Sequence, residues 1–194
     1  MTVWAIIPAK PATEGKSRLA GALPPDARAR LNLNLFRHTL AIAGSVFAPA
    51  NIIVISRDLA FLDLASAAGA RAVAEQGFEL NQALHQAALI PPATDGVLTI
   101  STDLPNLAAA DLHAMLLGRT AIAIAPDRAE QGTNALLTSP AAIIPYQFGE
   151  GSFARHRNSA GLAGKVPRIV SRPGLAFDLD TPEDLPFCPE TLFA

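Results

Sequence analysis

The chain has 194 residues, half of them apolar and 16% charged, with a formal net charge of −2 at pH 7. Such a chain is long enough to bury a substantial core and too apolar to stay disordered, and its charge gives no support for a nucleic-acid-binding surface. One cysteine, Cys188, excludes an internal disulfide and any cysteine-based zinc site. Met1 to Trp4 lacks the basic stretch and cleavage site of a signal peptide, and the most apolar window, 39–56, is broken by Gly44, Pro49 and Asn51. No membrane span is expected there, and a single cytoplasmic domain over 1–194 follows.

In chain order, Val3–Pro8 is a continuous apolar run that suits a buried first strand. Pro24-Pro25-Asp26 opens a helix through Phe47, with Leu31, Leu35, Phe36, Leu40, Ala43 and Phe47 on one face. Asn51–Ser56 reads as the second strand, Leu59–Ala68 as a helix stopped by Gly69, and Arg71–Ala74 as a short third strand. A helix over Asn81–Leu89 ends at Pro91-Pro92. Then come a β-branched strand over Val97–Ser101, a helix near Ala109–Leu117 and a strand at Ala121–Ala125. Alternating strands and helices indicate an α/β, three-layer sandwich with a mostly parallel sheet. The pattern then loosens. Asn134–Thr138 looks like a strand, Phe148 to Ser152 a glycine-rich turn before a helix, and Pro167–Val170 and Leu175–Phe177 further short strands. The sheet is therefore expected to be mixed in its last third.

Three acids stand out. Asp178 and Asp180 lie two apart, so on an extended segment both carboxylates face the same way, about 7 Å apart. Thr181-Pro182-Glu183-Asp184 behind them reads as a helix start, with Thr181 as N-cap and Pro182 in the first position. Asp103 follows the Val97–Ser101 strand, at the sheet edge where open parallel sheets bind ligands. Convergence of these three on one or two Mg²⁺ ions that also hold phosphates is the favoured reading.

The loop after the first strand carries Lys10, Lys16 and Arg18. Gly15-Lys16-Ser17 imitates the end of a P-loop, but Lys10 stands where that motif needs glycine. Cations at the end of a first strand suit a triphosphate and the pyrophosphate leaving from it. Thr133 and Ser152 are candidate hydroxyl donors, and Arg155 or His156 a candidate charge, for a small phosphorylated acid. Gly149 and Gly151 expose backbone N–H groups before a helix. His38, His85 and His113 fall inside helical patterns with no partner at metal spacing.

Together these stretches resemble the 2-phospholactate, phosphoenolpyruvate or 3-phosphoglycerate guanylyltransferases that make the precursor of the deazaflavin coenzyme F-420. The matching elements are Ile7-Pro8-Ala9-Lys10-Pro11, Gly15-Lys16-Ser17-Arg18-Leu19, Leu80-Asn81, Thr102-Asp103-Leu104-Pro105, Gly132-Thr133-Asn134, Phe148-Gly149-Glu150-Gly151-Ser152 with His156, and Asp178 to Leu185. The resemblance implies a nucleotide-diphospho-sugar transferase (Rossmann-like) fold and transfer of GMP from GTP. It implies Asp103, Asp178 and Asp180 as Mg²⁺ ligands, with Lys16 beside them in catalysis. It further implies Lys10, Lys16, Arg18 and Asn81 as nucleotide-binding, and Thr133, Gly149 and Ser152 as binding the phosphorylated acid. Glu14, among the loop cations, departs from the pattern. A related cytidylyltransferase or molybdopterin guanylyltransferase, a glycosyltransferase and a non-catalytic sensor remain alternatives, and apolar surface would allow a homodimer.

Overall fold

The computed structural model describes residues 2–118 and 120–193. Within these residues seven strands form one sheet: β1 (Val3–Ala9), β2 (Ile52–Ser56), β3 (Arg71–Ala74), β4 (Gly96–Ile100), β5 (Ile122–Pro126), β6 (Thr133–Thr138) and β7 (Arg168–Ile169), in the order β3-β2-β1-β4-β6-β5-β7. Every neighbouring pair is parallel except those made by β6, which runs against β4 and β5. The expected mixed sheet is thus a parallel sheet with a single reversed strand. Because β6 is reversed, its first residues Thr133 and Asn134 lie at the edge where β1, β2, β3, β4 and β5 end. One strand reversal therefore brings two extra polar side chains to the functional edge.

Among the described residues six α-helices cover the sheet: α1 (Pro25–Gly44), α2 (Leu59–Ala67), α3 (Leu80–Ala88), α4 (Ala109–Leu116), α5 (Ser152–Leu162) and α6 (Pro173–Ala176). Side chains alternate across β1, so Ala5, Ile7 and Ala9 pack with Phe36, Phe61 and Leu112 on one face. Trp4 and Ile6 pack on the other face with Leu84, Ala87 and Phe153. Strands β2, β4, β5 and β6 are buried along their whole length, as the apolar runs demand of a sheet covered on both sides. A third cluster of Leu19, Leu31, Leu35, Leu179 and Leu192 fastens the first loop and the C-terminal segment to α1.

Two elements depart from the sequence expectation. Helix α1 ends at Gly44, and Ser45 to Phe47 continue only as turns. Residues 175–177, expected to be a strand, close the short helix α6 instead, begun by Pro173 at its first position. Four apolar residues are too few for either periodicity to show, and proline decides. Helix α6 is seated by Gly174, whose hypothetical Cβ would lie 2.5 Å from the Asn106 carbonyl oxygen. Asp111 of α4 holds the same corner, accepting hydrogen bonds from Arg172 Nε at 3.0 Å and the Ala108 N–H at 3.0 Å. Gly174→Ala is therefore expected to destabilise the fold by about 2 kcal/mol or more, read as a lowered urea midpoint.

Candidate active site

A cavity of about 880 Å³ opens along the strand-end edge. The loop after β1 enters it as a 3-10 turn over Ser17–Gly21, preceded by Lys16 in the left-handed region at φ 57°. That conformation, uncommon for a residue with a Cβ, turns the Lys16 side chain inward. Its ammonium lies 3.1 Å from Asp103 Oδ2 and 3.6 Å from Asp180 Oδ1, and donates to the Leu179 carbonyl. With its side chain only 8% exposed, Lys16 is a buried cation shared by Asp103 and Asp180.

Asp103 stands just beyond β4, and its carbonyl accepts from the Leu179 N–H at 2.9 Å. That bond ties the C-terminal segment to the end of β4. Leu179 is fully buried in the third cluster, while Asp178 and Asp180 on either side of it line the cavity. The alternation expected of an extended segment is therefore realised, although 177–180 forms no strand. Thr181 caps the following 3-10 turn Pro182–Phe187 through a capping box with Asp184. Burial would raise Asp184, but the N–H groups of Thr181 and Asp180 and the Arg128 guanidinium overcome it and hold it at about 2. Pro186 inside this turn lacks an N–H and fits the 3-10 geometry better than a longer α-helix.

The three carboxylates thus line one cavity. Burial, then repulsion from Asp103 and Asp180, pushes Asp178 up to about 6. Arg18, largely exposed, pairs with Asp180 at 2.9 Å, and Lys10 lines the cavity from the end of β1. Among the described residues, no group of three or more His, Cys, Asp or Glu is arranged as a ready-made metal cage. The donor set nevertheless suits Mg²⁺, which takes hard oxygen ligands and is usually held by one or two carboxylates together with substrate phosphates. Glu14 does not oppose the loop cations: its carboxylate is taken by Arg57, at 2.6 Å.

The far end of the cavity is built by β6 and the 148–152 loop. Gly149 (φ 113°) and Gly151 (φ 67°) supply backbone conformations that a side chain would strain. Ser152 is the first residue of α5, not its cap, and its hydroxyl is buried with no hydrogen-bond partner. A buried hydroxyl left unpaired at a cavity wall is costly unless a ligand meets it. Thr133 Oγ1 lies 3.0 Å from His156 Nδ1, and His156 Nε2 accepts the Gln147 N–H at 3.0 Å. Because Nε2 accepts, the proton of the neutral ring sits on Nδ1 and is donated to Thr133. The Thr133 hydroxyl hydrogen is left free to face the cavity.

Two expectations are corrected here. His156 is fully buried, and burial followed by the charge of Arg155 lowers it to about 4, so it carries no charge at pH 7. Arg155 is itself exposed and donates to the Gln147 carbonyl at 3.0 Å. Asn81 does not line the cavity either. Its amide accepts the Phe148 N–H at 2.8 Å and donates to the Phe148 carbonyl at 3.2 Å, clamping the glycine loop from behind. Arg57 and Glu75, one residue beyond β2 and β3, line the cavity and were missed, although the strand-end rule that found Asp103 points to both.

The neutral His156 has a consequence for stability. An unfolded histidine binds its proton below about 6.5, whereas the folded one resists until about 4. Stability is therefore expected to fall as pH drops from 6.5 to 4, by about 3 kcal/mol from this group. Urea unfolding of the wild type and His156→Asn across that range checks this: the variant should lack that part of the slope, and equal slopes would contradict it.

A doubly covered sheet with a carboxylate trio, a buried lysine and a loop of cations at its strand ends defines a nucleotidyltransferase-type α/β enzyme. The chain belongs to the family described as "Guanylyl transferase CofC like", whose model matches residues 3–187. It is 38% identical over 192 residues to a phosphoenolpyruvate guanylyltransferase of Rubrobacter xylanophilus, covering 95% of this chain and 92% of that one. A 3-phospho-D-glycerate guanylyltransferase of Colwellia psychrerythraea is 30% identical, covering 93% and 88%. Solved structures share the fold at low identity. A Desulfovibrio desulfuricans G20 protein assigned to the nucleotide-diphospho-sugar transferases superposes with TM-score 0.70 at 18% identity, over 95% of this chain and 85% of that one. A Methanothermobacter nucleotidyl transferase gives 0.66 at 14%, over 98% and 97%. Among the described residues no helix is long and apolar enough to cross a membrane.

Proposed function

We propose that this enzyme transfers GMP from GTP to the phosphate of a small phosphorylated carboxylic acid, releasing pyrophosphate, as a step toward coenzyme F-420. The acceptor class is phosphoenolpyruvate, 3-phosphoglycerate or 2-phospholactate. The single observation that carries this reading is one cavity lined by Asp103, Asp178 and Asp180, with Lys16 paired to Asp103 and Asp180 and the unpaired Ser152 hydroxyl on the same cavity.

In this reading a phosphate oxygen of the acid attacks the α-phosphorus of GTP. The bond between that phosphorus and the bridging oxygen breaks, and pyrophosphate leaves with the electron pair. The acceptor phosphate is already ionised at pH 7, so no protein base is required, and the obstacle is repulsion between two anions. Lys10, Lys16 and Arg18 offset the charge of the triphosphate and of the departing pyrophosphate. Asp103, Asp178 and Asp180 would hold Mg²⁺, which when bound supplies Lewis-acid charge neutralisation on the phosphates. Thr133 and Ser152 donate to the acid's phosphate or carboxylate from the far wall, and the Gly149 and Gly151 turn lets its backbone approach. Asn81 positions that turn.

A competition assay with GTP, Mg²⁺ and all three acids, products resolved by mass, tests the reading. One guanylylated acid should dominate; no product from any of the three would refute it. Ser152→Ala gives a second expected outcome. Because the hydroxyl has no partner in the folded chain, its loss should leave stability unchanged or slightly raised, yet raise KM for the acid about tenfold. A fall in stability with unchanged KM would remove Ser152 from the acceptor site.

A further inference from the structure

The cavity has an end that neither the phosphate chemistry nor the acceptor wall uses. Lys10, Arg57 and Glu75 follow β1, β2 and β3, so with Asp103 beyond β4 they step across four adjacent strand ends. At about 4.8 Å per strand, the ends of β3 and β4 are about 14 Å apart, room for a nucleotide laid across the edge with its base toward β3. The Glu75 side chain is 10% exposed and lines this cavity, with Arg57 as its ion-pair partner. Its nearest cation is Arg57 Nε at 3.6 Å, beyond hydrogen-bond length. Arg57 Nε is itself a buried donor with no hydrogen-bond partner. The other end of that guanidinium is fixed: Nη2 and Nη1 donate to Glu14 at 2.6 Å and 3.3 Å. Phe78 stands beside them 83% exposed, with the guanidinium 4.8 Å from its ring centre. So a desolvated carboxylate, a donor without a hydrogen bond and an open aromatic face line the cavity beyond the ends of β2 and β3.

Resting on the GTP reading above, we infer that Arg57 and Glu75 form the base-reading subsite, with Arg57 Nε donating to guanine O6 and the Glu75 carboxylate accepting from N1–H and the N2 amine. The donor beside two acceptors is complementary to guanine's acceptor beside two donors. Adenine presents a donor and then an acceptor on the same edge, and cytosine a donor and two acceptors, so both meet like against like. A site whose buried polar groups are left unpaired by the wrong ligand discriminates strongly, whereas an apolar slot does not. Phe78 offers the purine a stacking surface, which adds affinity but no base identity. Glu14 serves as the brace that holds the Arg57 guanidinium beside the Glu75 carboxylate, which explains an acid among the loop cations.

The test is the initial rate of pyrophosphate release by wild type and Glu75→Gln, with GTP, ITP, XTP and ATP in turn. Glutamine still accepts N1–H but presents an amide donor where guanine has its amine. XTP, with a carbonyl at that position, fits the variant instead. The expected result is a wild type that prefers GTP over ITP about tenfold or more, and an E75Q enzyme whose GTP-over-XTP preference has dropped by about a hundredfold or reversed. A misfolded variant cannot gain XTP turnover. If E75Q is inactive with every nucleotide, the wild-type ratio decides: equal use of GTP and ITP overturns the inference, and a clear GTP preference supports it. E75Q that keeps the wild-type GTP-over-XTP ratio overturns it alone. A wild type that ignores GTP overturns the underlying reading and this subsite with it.

Discussion

Asp178→Asn is expected to cut kcat by about a thousandfold while making the metal-free protein more stable at pH 7 to 8. The activity loss follows from removing one of three carboxylates that would hold Mg²⁺ against the triphosphate, and groups of this kind are worth about 10²–10³ in rate. The stability gain follows from the pKa. Asp178 is raised to about 6 by burial and by Asp103 and Asp180, so the folded state holds its proton more tightly than the unfolded chain. An acid shifted in that direction costs stability above its unfolded value near 3.8, and the full cost is present once pH exceeds about 6. Asparagine removes that cost. Thermal unfolding in EDTA at pH 7.5 should show the Tm of D178N a few degrees above wild type. Added Mg²⁺ should raise the wild type and not the variant. A variant that is both fully active and unshifted would remove Asp178 from the site.

Lys16→Met should damage activity and stability together. Lys16 sits 3.1 Å from Asp103 and 3.6 Å from Asp180, with its own side chain nearly buried. Removing it leaves the acids to repel one another and leaves the Leu179 carbonyl without its donor. Breaking a buried pair costs about 3–5 kcal/mol, but Asp103 and Asp180 are partly exposed, so about 2 kcal/mol is the expected loss here. The rate loss should be about 10²-fold or more, because the departing pyrophosphate loses its nearest buried cation. Arginine should not rescue either effect, since a planar guanidinium does not fit a compact ammonium site. Mg²⁺ should restore more stability to K16M than to the wild type, because it supplies the charge the lysine no longer does. Wild-type kcat in K16M would contradict the assignment.

Much of this was legible in the chain. The β-branched run before Asp103 and the alternation around Leu179 are local patterns with a fixed geometric meaning, and in the structure the acids they carry line one cavity. The reversed direction of β6 was anticipated only as a mixed last third, because no residue in Thr133–Thr138 encodes direction. What the sequence could not show depends on partners far away in the chain. Asn81 is spent on Phe148, and His156 is neutral because burial outweighs its intrinsic basicity. Glu14 looked like a flaw in a cationic loop, yet it is matched by Arg57 from the end of β2. The short helix α6 was read as a strand because proline's effect on a four-residue segment was outweighed by its apolar composition.

The account rests on the acid's own phosphate oxygen displacing pyrophosphate from the α-phosphorus of GTP. Run with ¹⁸O in the non-bridging oxygens of the acceptor phosphate, the reaction should give a guanylylated acid that keeps the label, including at the new bridge, and unlabelled pyrophosphate, by mass and ³¹P NMR. Label in the released pyrophosphate, or pyrophosphate formed with no guanylylated acid, would contradict it.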